Sequence, residues 1–103
     1  MYKVSILYPD KAGAKFDFEY YCSRHMPMVR DRLGKACSGI AVDKGIGGGE
    51  PGSSPGYVAI GYILADDLDA LMAGVGEHGE EFVKDVPNYT NIEPVIQVNE
   101  VLL

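Results

Sequence analysis

The sequence predicts an α+β domain built in the order β-α-β-β-α-β. This is a ferredoxin-like arrangement, a four-stranded antiparallel sheet with both helices on one face. Three observations predict it. Period-two alternation opens the chain, two stretches carry apolar residues at steps of three and four, and a central run is apolar on both of its faces. The 103 residues suffice for one domain, 1–103, and not for two.

Residues 2–8 (YKVSILY) are the first strand: Tyr2, Val4, Ile6 and Tyr8 share one face, and Lys3, Ser5 and Leu7 the other. Pro9-Asp10 and Gly13 make the following loop. Asp17 caps a helix starting near Phe18, because its carboxylate can accept from the first free N–H groups. Phe18, Cys22, His25 or Met26, Val29 and Leu33 form the inward stripe of that helix. Pro27 lacks an N–H and clashes one turn back, so the helix should kink or restart around His25-Met26-Pro27. Gly34 or Gly39 ends it.

Residues 39–46 (GIAVDKGI) are the second strand, and the Gly-, Pro- and Ser-rich stretch 47–56 is a flexible loop. Residues 57–64 (YVAIGYIL) are the third strand, apolar on both faces and therefore central and covered on both sides. Asp66 or Asp67 caps the second helix, with Leu68, Leu71, Met72, Val75, Phe82 and Val83 as its buried stripe. Gly79 is the place where a backbone or ligand would approach that helix closely. Residues 85–92 are a turn-rich connection, and 94–102 are the last strand. Two helices cannot cover both faces of the sheet, so a second copy is the simplest cover and a homodimer is expected.

Nearly half the residues are apolar (47%) and 23% are charged, the balance of a globular chain. The net charge of -6 argues against nucleic acid and against an anionic membrane surface as partners. The cluster Arg24, Arg30, Arg32 reads as a solvated helix face. No secretory signal is visible, and no apolar run approaches the ~20 residues needed to span a bilayer. Cys22 and Cys37 stand in neither a CxxC nor a metal spacing and read as two reduced thiols of a cytoplasmic protein.

The stretch FDFEYYCSRHMPMV, residues 16–29, resembles the EthD family motif, in which Phe-Asp and Tyr-Tyr precede His-Met-Pro. DVPNYTNIEPVIQVNEV, residues 85–101, is similar to that family's C-terminal signature, and the YP after the first strand fits as well. The resemblance covers nearly the whole chain. It implies a dimeric α/β barrel in which two sheets face each other. The family is named for a protein associated with the degradation of ethyl tert-butyl ether. Related barrel families include cofactor-free monooxygenases, polyketide cyclases, isomerases and haem-handling enzymes, among which fold alone does not choose.

The expected cleft is apolar and lies between sheet and helices, with a small hydrophobic, oxygen-bearing molecule as its ligand. His25 and Tyr21 are the expected catalytic residues; Tyr62, Met26, Ile60 and Phe18 are the expected substrate contacts. His25 stands at a proline-marked helix break, titrates near neutrality and can act as general acid or base. The alternative is a histidine that merely fixes the kink through a neighbouring carbonyl. Tyr21, four residues earlier, can share its face and donate to a substrate oxygen. Cys22 reads as a buried structural thiol rather than a nucleophile. His78 and His25 lack a third ligand at recognisable spacing, so no metal and no cofactor are expected. Gly47-Gly48-Gly49 lacks the GK[ST] ending of a phosphate loop. Asn88, Tyr89, Thr90 and Asn91 read as turn formers that bond nearby backbone. The expected activity is an oxidoreductase of the cofactor-independent monooxygenase kind. A cyclase, isomerase or dehydratase, or a non-catalytic ligand-binding or stress-associated dimer, stands as the alternative.

Overall fold

The computed structural model describes residues Met1–Leu103. The chain runs β1 (Tyr2–Pro9), α1 (Phe18–Tyr20), a π-turn (Tyr21–His25), α2 (Met26–Leu33), β2 (Gly39–Lys44), β3 (Tyr57–Ala65), α3 (Leu68–Asp85) and β4 (Val95–Glu100). Short 3-10 turns at Gly34–Ala36 and Val86–Asn88 follow α2 and α3. The strands form one antiparallel sheet in the order β2-β3-β1-β4. This is the expected α+β, ferredoxin-like architecture, with β1 and β3 in the centre. The first and last strands are neighbours, and Val101 N–H reaches Met1 O at 2.9 Å. No helix is long and apolar enough to cross a membrane.

Register assigns the faces. Val4 pairs with Ile63, and Tyr8 with Ala59. These residues are buried and belong to the core, together with Met26, Val29 and Leu33 of α2 and Leu71 of α3. That is the helix-covered face. Leu7 pairs with Ile60 and Ser5 with Tyr62 on the other face, which no helix covers. Ile60, Tyr62 and Leu64 there are only half-buried. The third strand is thus central as expected, but one of its apolar faces is open within a single chain.

The first helix departs from the expected kink. Asp17 caps it, accepting from Tyr20 N–H at 3.0 Å, but the irregularity is a π-turn rather than a bend at Pro27. Met26 N–H bonds to Tyr21 O, five residues back. Ser23, whose carbonyl the Pro27 ring would strike in a regular helix, lies inside that wider turn. The extra residue per turn rotates the stripe. Tyr21 is fully buried and Cys22 is exposed, which corrects the expectation of a buried thiol at Cys22. Both cysteines are free. Gly34 ends α2 with φ of 56°, a conformation glycine adopts without cost.

In α3, Asp67 is the cap, accepting from Ala70 N–H at 3.1 Å. Leu71 is fully buried, whereas Met72 and Val83 are exposed, so the buried stripe is narrower than its sequence pattern. The close approach expected at Gly79 is found at Gly74 instead, where a Cβ would stand 2.8 Å from Leu33 Cδ2; Gly79 faces open space.

Candidate functional site

The side chains that carry chemistry gather where the π-turn, the end of α3 and the segment after it meet the helix-covered face of the sheet. The π-turn delivers Tyr21 and His25 inward together, four residues apart. Their rings stack with 12° between planes and 5.4 Å between centroids. Tyr89 follows the 3-10 turn at the end of α3, and its ring lies 4.6 Å from the His25 imidazole. Tyr8, at the end of β1, completes the group. Its hydroxyl lies 2.7 Å from that of Tyr89 and, more loosely, 3.4 Å from that of Tyr21. Phe16 packs edge-on against Tyr8, Tyr21 and Tyr89.

The Thr90 and Asn91 side chains of segment 88–92 bond backbone chiefly far along the chain rather than the nearby backbone expected of them; only Thr90 Oγ1 accepts locally, from Ile92 N–H. The partners lie in the loop before α1. Thr90 Oγ1–H donates to Lys15 O at 2.6 Å, and Asn91 Oδ1 accepts from Lys15 N–H at 2.9 Å. Asp17 N–H donates to Tyr89 O at 2.8 Å. The same segment therefore holds both the Asp17 cap and the Tyr89 ring in place.

At the end of α3, Asp85 turns toward the π-turn. His25 Nδ1 lies 2.8 Å from Asp85 Oδ2. Asp85 Oδ1 accepts from the Tyr20 hydroxyl at 2.6 Å and from Asn88 Nδ2 at 2.9 Å. Burial alone would raise the Asp85 carboxyl, but Tyr20, Asn88 and His25 together outweigh it and hold the group below its ordinary value. Desolvation lowers His25 and prevails over the opposing pull of Asp85. The pair at neutral pH is therefore a carboxylate and a neutral imidazole. An anionic Asp85 accepts from Nδ1–H, so the lone pair sits on Nε2. Nε2 has no hydrogen-bond partner in the chain and is not sealed from solvent. Burial raises the pKa of Tyr8, Tyr21 and Tyr89, which keeps all three phenols neutral.

Two recesses flank this pair. On the inner side is an almost wholly apolar cleft of about 120 Å³, walled by Val4, Ile6 and Ile63 of the sheet, Met26 and Val29 of α2, and Val75 and Phe82 of α3; His25, Tyr8 and Tyr89 also line it. On the outer side is an open polar groove lined by Tyr20, Arg24, Glu81, Lys84, Asp85 and Asn88. The dyad forms the wall between them.

Of the expected site residues, His25 and Met26 line the cleft. Tyr21 is beside His25 but has no exposed surface, and its hydroxyl lies against Gly61 and Tyr8 rather than in the cleft. Tyr62 and Ile60 are not brought to the cleft. The register puts them on the uncovered face, where Tyr62 sits under the Lys3 ammonium at 4.9 Å. Phe18 packs on Phe16, with Lys44 over its ring at 5.3 Å, outside the cleft lining. Asp85, Tyr8, Tyr89 and Tyr20 are the members that sequence reasoning missed. No group of three or more His, Cys, Asp or Glu side chains is placed to hold a metal ion, and His78 pairs with Glu77 at 3.7 Å on the outer surface.

Neither protein-family models nor curated proteins yield a match to the chain. Solved structures do. An EthD-like protein from Ralstonia eutropha JMP134 is 44% identical, with a TM-score of 0.94 over 99% of this chain and 92% of that one. An ethyl tert-butyl ether degradation (EthD) family protein from Bacillus halodurans C-125 is 18% identical, with a TM-score of 0.67 over 99% of both chains. A protein from Arabidopsis thaliana is 12% identical, with a TM-score of 0.69 over 100% of this chain and 97% of that one; at such identity the likeness is one of fold.

Proposed function

The chain belongs to the EthD-like family, and on that premise we propose that it is a small-molecule enzyme whose His25–Asp85 pair removes a proton from a neutral, hydrophobic, oxygen-bearing substrate. The observation that carries this reading is the 2.8 Å contact between His25 Nδ1 and Asp85 Oδ2 at the edge of an apolar cleft. A carboxylate at Nδ1 holds the imidazole in the tautomer whose Nε2 accepts a proton and stabilises the imidazolium that results. The cleft lining carries no cationic side chain, which disfavours carboxylates and phosphates as ligands and favours uncharged ones. Tyr89, beside the imidazole, takes the role of orienting the substrate oxygen that Tyr21 is too buried to fill.

The finer reading is cofactor-independent oxidation of an aromatic or enolisable compound. Loss of a phenolic or α-carbon proton gives an electron-rich anion, and such an anion can react with dioxygen directly. A cyclase, isomerase or dehydratase would use the same first step, and the dyad favours it equally, because proton transfer is the chemistry the dyad supplies. The test is turnover, with and without dioxygen, of a panel of hydroxylated aromatic and 1,3-dicarbonyl compounds. Oxygen-dependent product lost in His25→Ala supports the oxidase reading. Oxygen-independent product lost in the same variant supports the second. Equal turnover by wild type and His25→Ala overturns both.

Two copies are proposed to pair through their uncovered sheet faces, where Leu7, Ile60, Tyr62 and Leu64 are half-buried in the single chain. A cytoplasmic site of action fits the two free thiols.

A further inference from the structure

The His25–Asp85 pair has a second layer on its outer side. Asp85 Oδ2 faces His25, while Oδ1 takes two donors, the Tyr20 hydroxyl at 2.6 Å and Asn88 Nδ2 at 2.9 Å. The two donors come from opposite ends of the local chain: Tyr20 ends α1, just before the π-turn, and Asn88 ends the 3-10 turn after α3. A carboxylate held on one oxygen from two directions cannot rotate about its own axis without losing both bonds. Its other oxygen is thereby aimed at Nδ1. Tyr20 is itself held by two further contacts: its ring stacks on Tyr89 with 18° between planes, and Arg24 lies 5.8 Å from its centroid. Tyr20 touches the outer groove but not the cleft. It therefore acts on a cleft ligand indirectly, and its one hydrogen bond toward the dyad is to Asp85.

We propose that Tyr20, seconded by Asn88, is a positioning residue that locks the Asp85 carboxylate and through it holds His25 with Nδ1 protonated and Nε2 bare. The proposal rests on the reading of His25 as the base, since an idle histidine would gain nothing from a fixed tautomer. The physical cause is the direction of the bonds. A tyrosine O–H spends its proton on Oδ1, which draws charge away from Oδ2 and weakens the hold of the carboxylate on an imidazolium. Tyr20 thus keeps His25 in its neutral, proton-accepting form as well as in the right orientation. The other groups around the pair are the buried phenols of Tyr21 and Tyr89 on the ring faces, and Arg24, Glu81 and Lys84 along the outer groove.

The test reads the ring itself. In 15N-labelled protein, long-range proton–nitrogen correlation reports which imidazole nitrogen of His25 is protonated, and a pH series reports its titration midpoint. In wild type the expected result is Nδ1 protonated and Nε2 bare. In Tyr20→Phe, Asp85 regains charge on Oδ2 and freedom to turn. His25 is expected to show a mixture of tautomers and a midpoint raised by roughly half a unit, about three-fold in proton affinity. A lower melting temperature with unchanged tautomer and midpoint means that Tyr20 is only a packing residue and overturns the proposal. If Tyr20→Phe does not fold, Asn88→Ala removes the other Oδ1 donor from an exposed position and is read by the same criteria. These readouts need no substrate. A shifted midpoint in a protein that turns nothing over would refute the enzymatic reading and leave the positioning standing; normal turnover with an unmoved midpoint would do the reverse.

Discussion

His25 and Asp85, 60 residues apart in the chain, meet at 2.8 Å, and the meeting joins the two halves of the domain beside the apolar cleft that His25 lines. Replacing His25 by alanine should separate chemistry from stability. Asp85 keeps its bonds to Tyr20 and Asn88, so the fold loses on the order of one net hydrogen bond, ~1 kcal/mol, plus ring packing. Turnover should fall by ~100-fold or more, the usual worth of a positioned general base. Thermal melts and steady-state rates on the same preparation check it. A sharp fall in melting temperature with ligand affinity intact would make His25 a structural residue of the π-turn.

The dyad also fixes the sign of the pH response. The folded-state value of His25 lies below its ordinary value of about 6.5, so the unfolded chain binds the proton first. Its contribution to stability is complete above about 6.5 and is lost as pH falls through the lowered folded value. Asp85 acts in the same direction at lower pH: its contribution is present above the ordinary carboxylate range and lost as pH falls through its own depressed value. Melting temperature should decline below about pH 6.5 through His25 and decline further below about pH 4 through Asp85, and Asp85→Asn should remove the part of the decline that lies below about pH 4. Base-dependent turnover should persist somewhat below pH 6.5. A wild-type curve flat from pH 7 to pH 4 contradicts this account.

Gly61 should not tolerate a side chain. A Cβ there would collide with the hydroxyl of Tyr21, a fully buried ring stacked on His25. Gly61→Ala should cost roughly 1–3 kcal/mol, the range for overpacking a filled core. Urea denaturation measures it. Gly79→Ala, which faces open space inside α3, should be neutral or slightly stabilising.

Sedimentation at micromolar concentration should give twice the 11.1 kDa chain mass. Leu64→Glu, on the uncovered sheet face, should shift the population toward single chains. A wild-type protein that sediments as one 11.1 kDa chain ends the proposal of paired sheets.

The element order, the Asp17 cap, a second cap at Asp66 or Asp67 and the central place of β3 were all legible, because each rests on local alternation or a local hydrogen bond. The π-turn was not. A period of 3.6 put Cys22 inside, and one extra residue in the turn gave that place to Tyr21. Alternation correctly put Tyr62 and Ile60 on one side, but on a strand apolar on both faces it carries no sign of which side the helices take. Asp85 was hidden by distance along the chain: nothing local to residue 85 distinguishes a carboxylate that ends a helix from one that completes a dyad. Its one signal was its position at the head of the DVPNYTN stretch, which resembles the EthD signature.

The pairing of β1 with β4 has a consequence for synthesis. Of the four strands β1 is made before the others; β3 can cover one of its edges, but the other edge waits for residues 95–100. Until then its far edge offers bare N–H and C=O groups to any neighbouring nascent chain. The sheet therefore closes only after nearly all of these residues have emerged, through contacts of high sequence separation, which makes folding slow for a domain of this size. The interval between the birth of the first strand and the arrival of the fourth is when this protein is most exposed to aggregation, and when a chaperone would help it most.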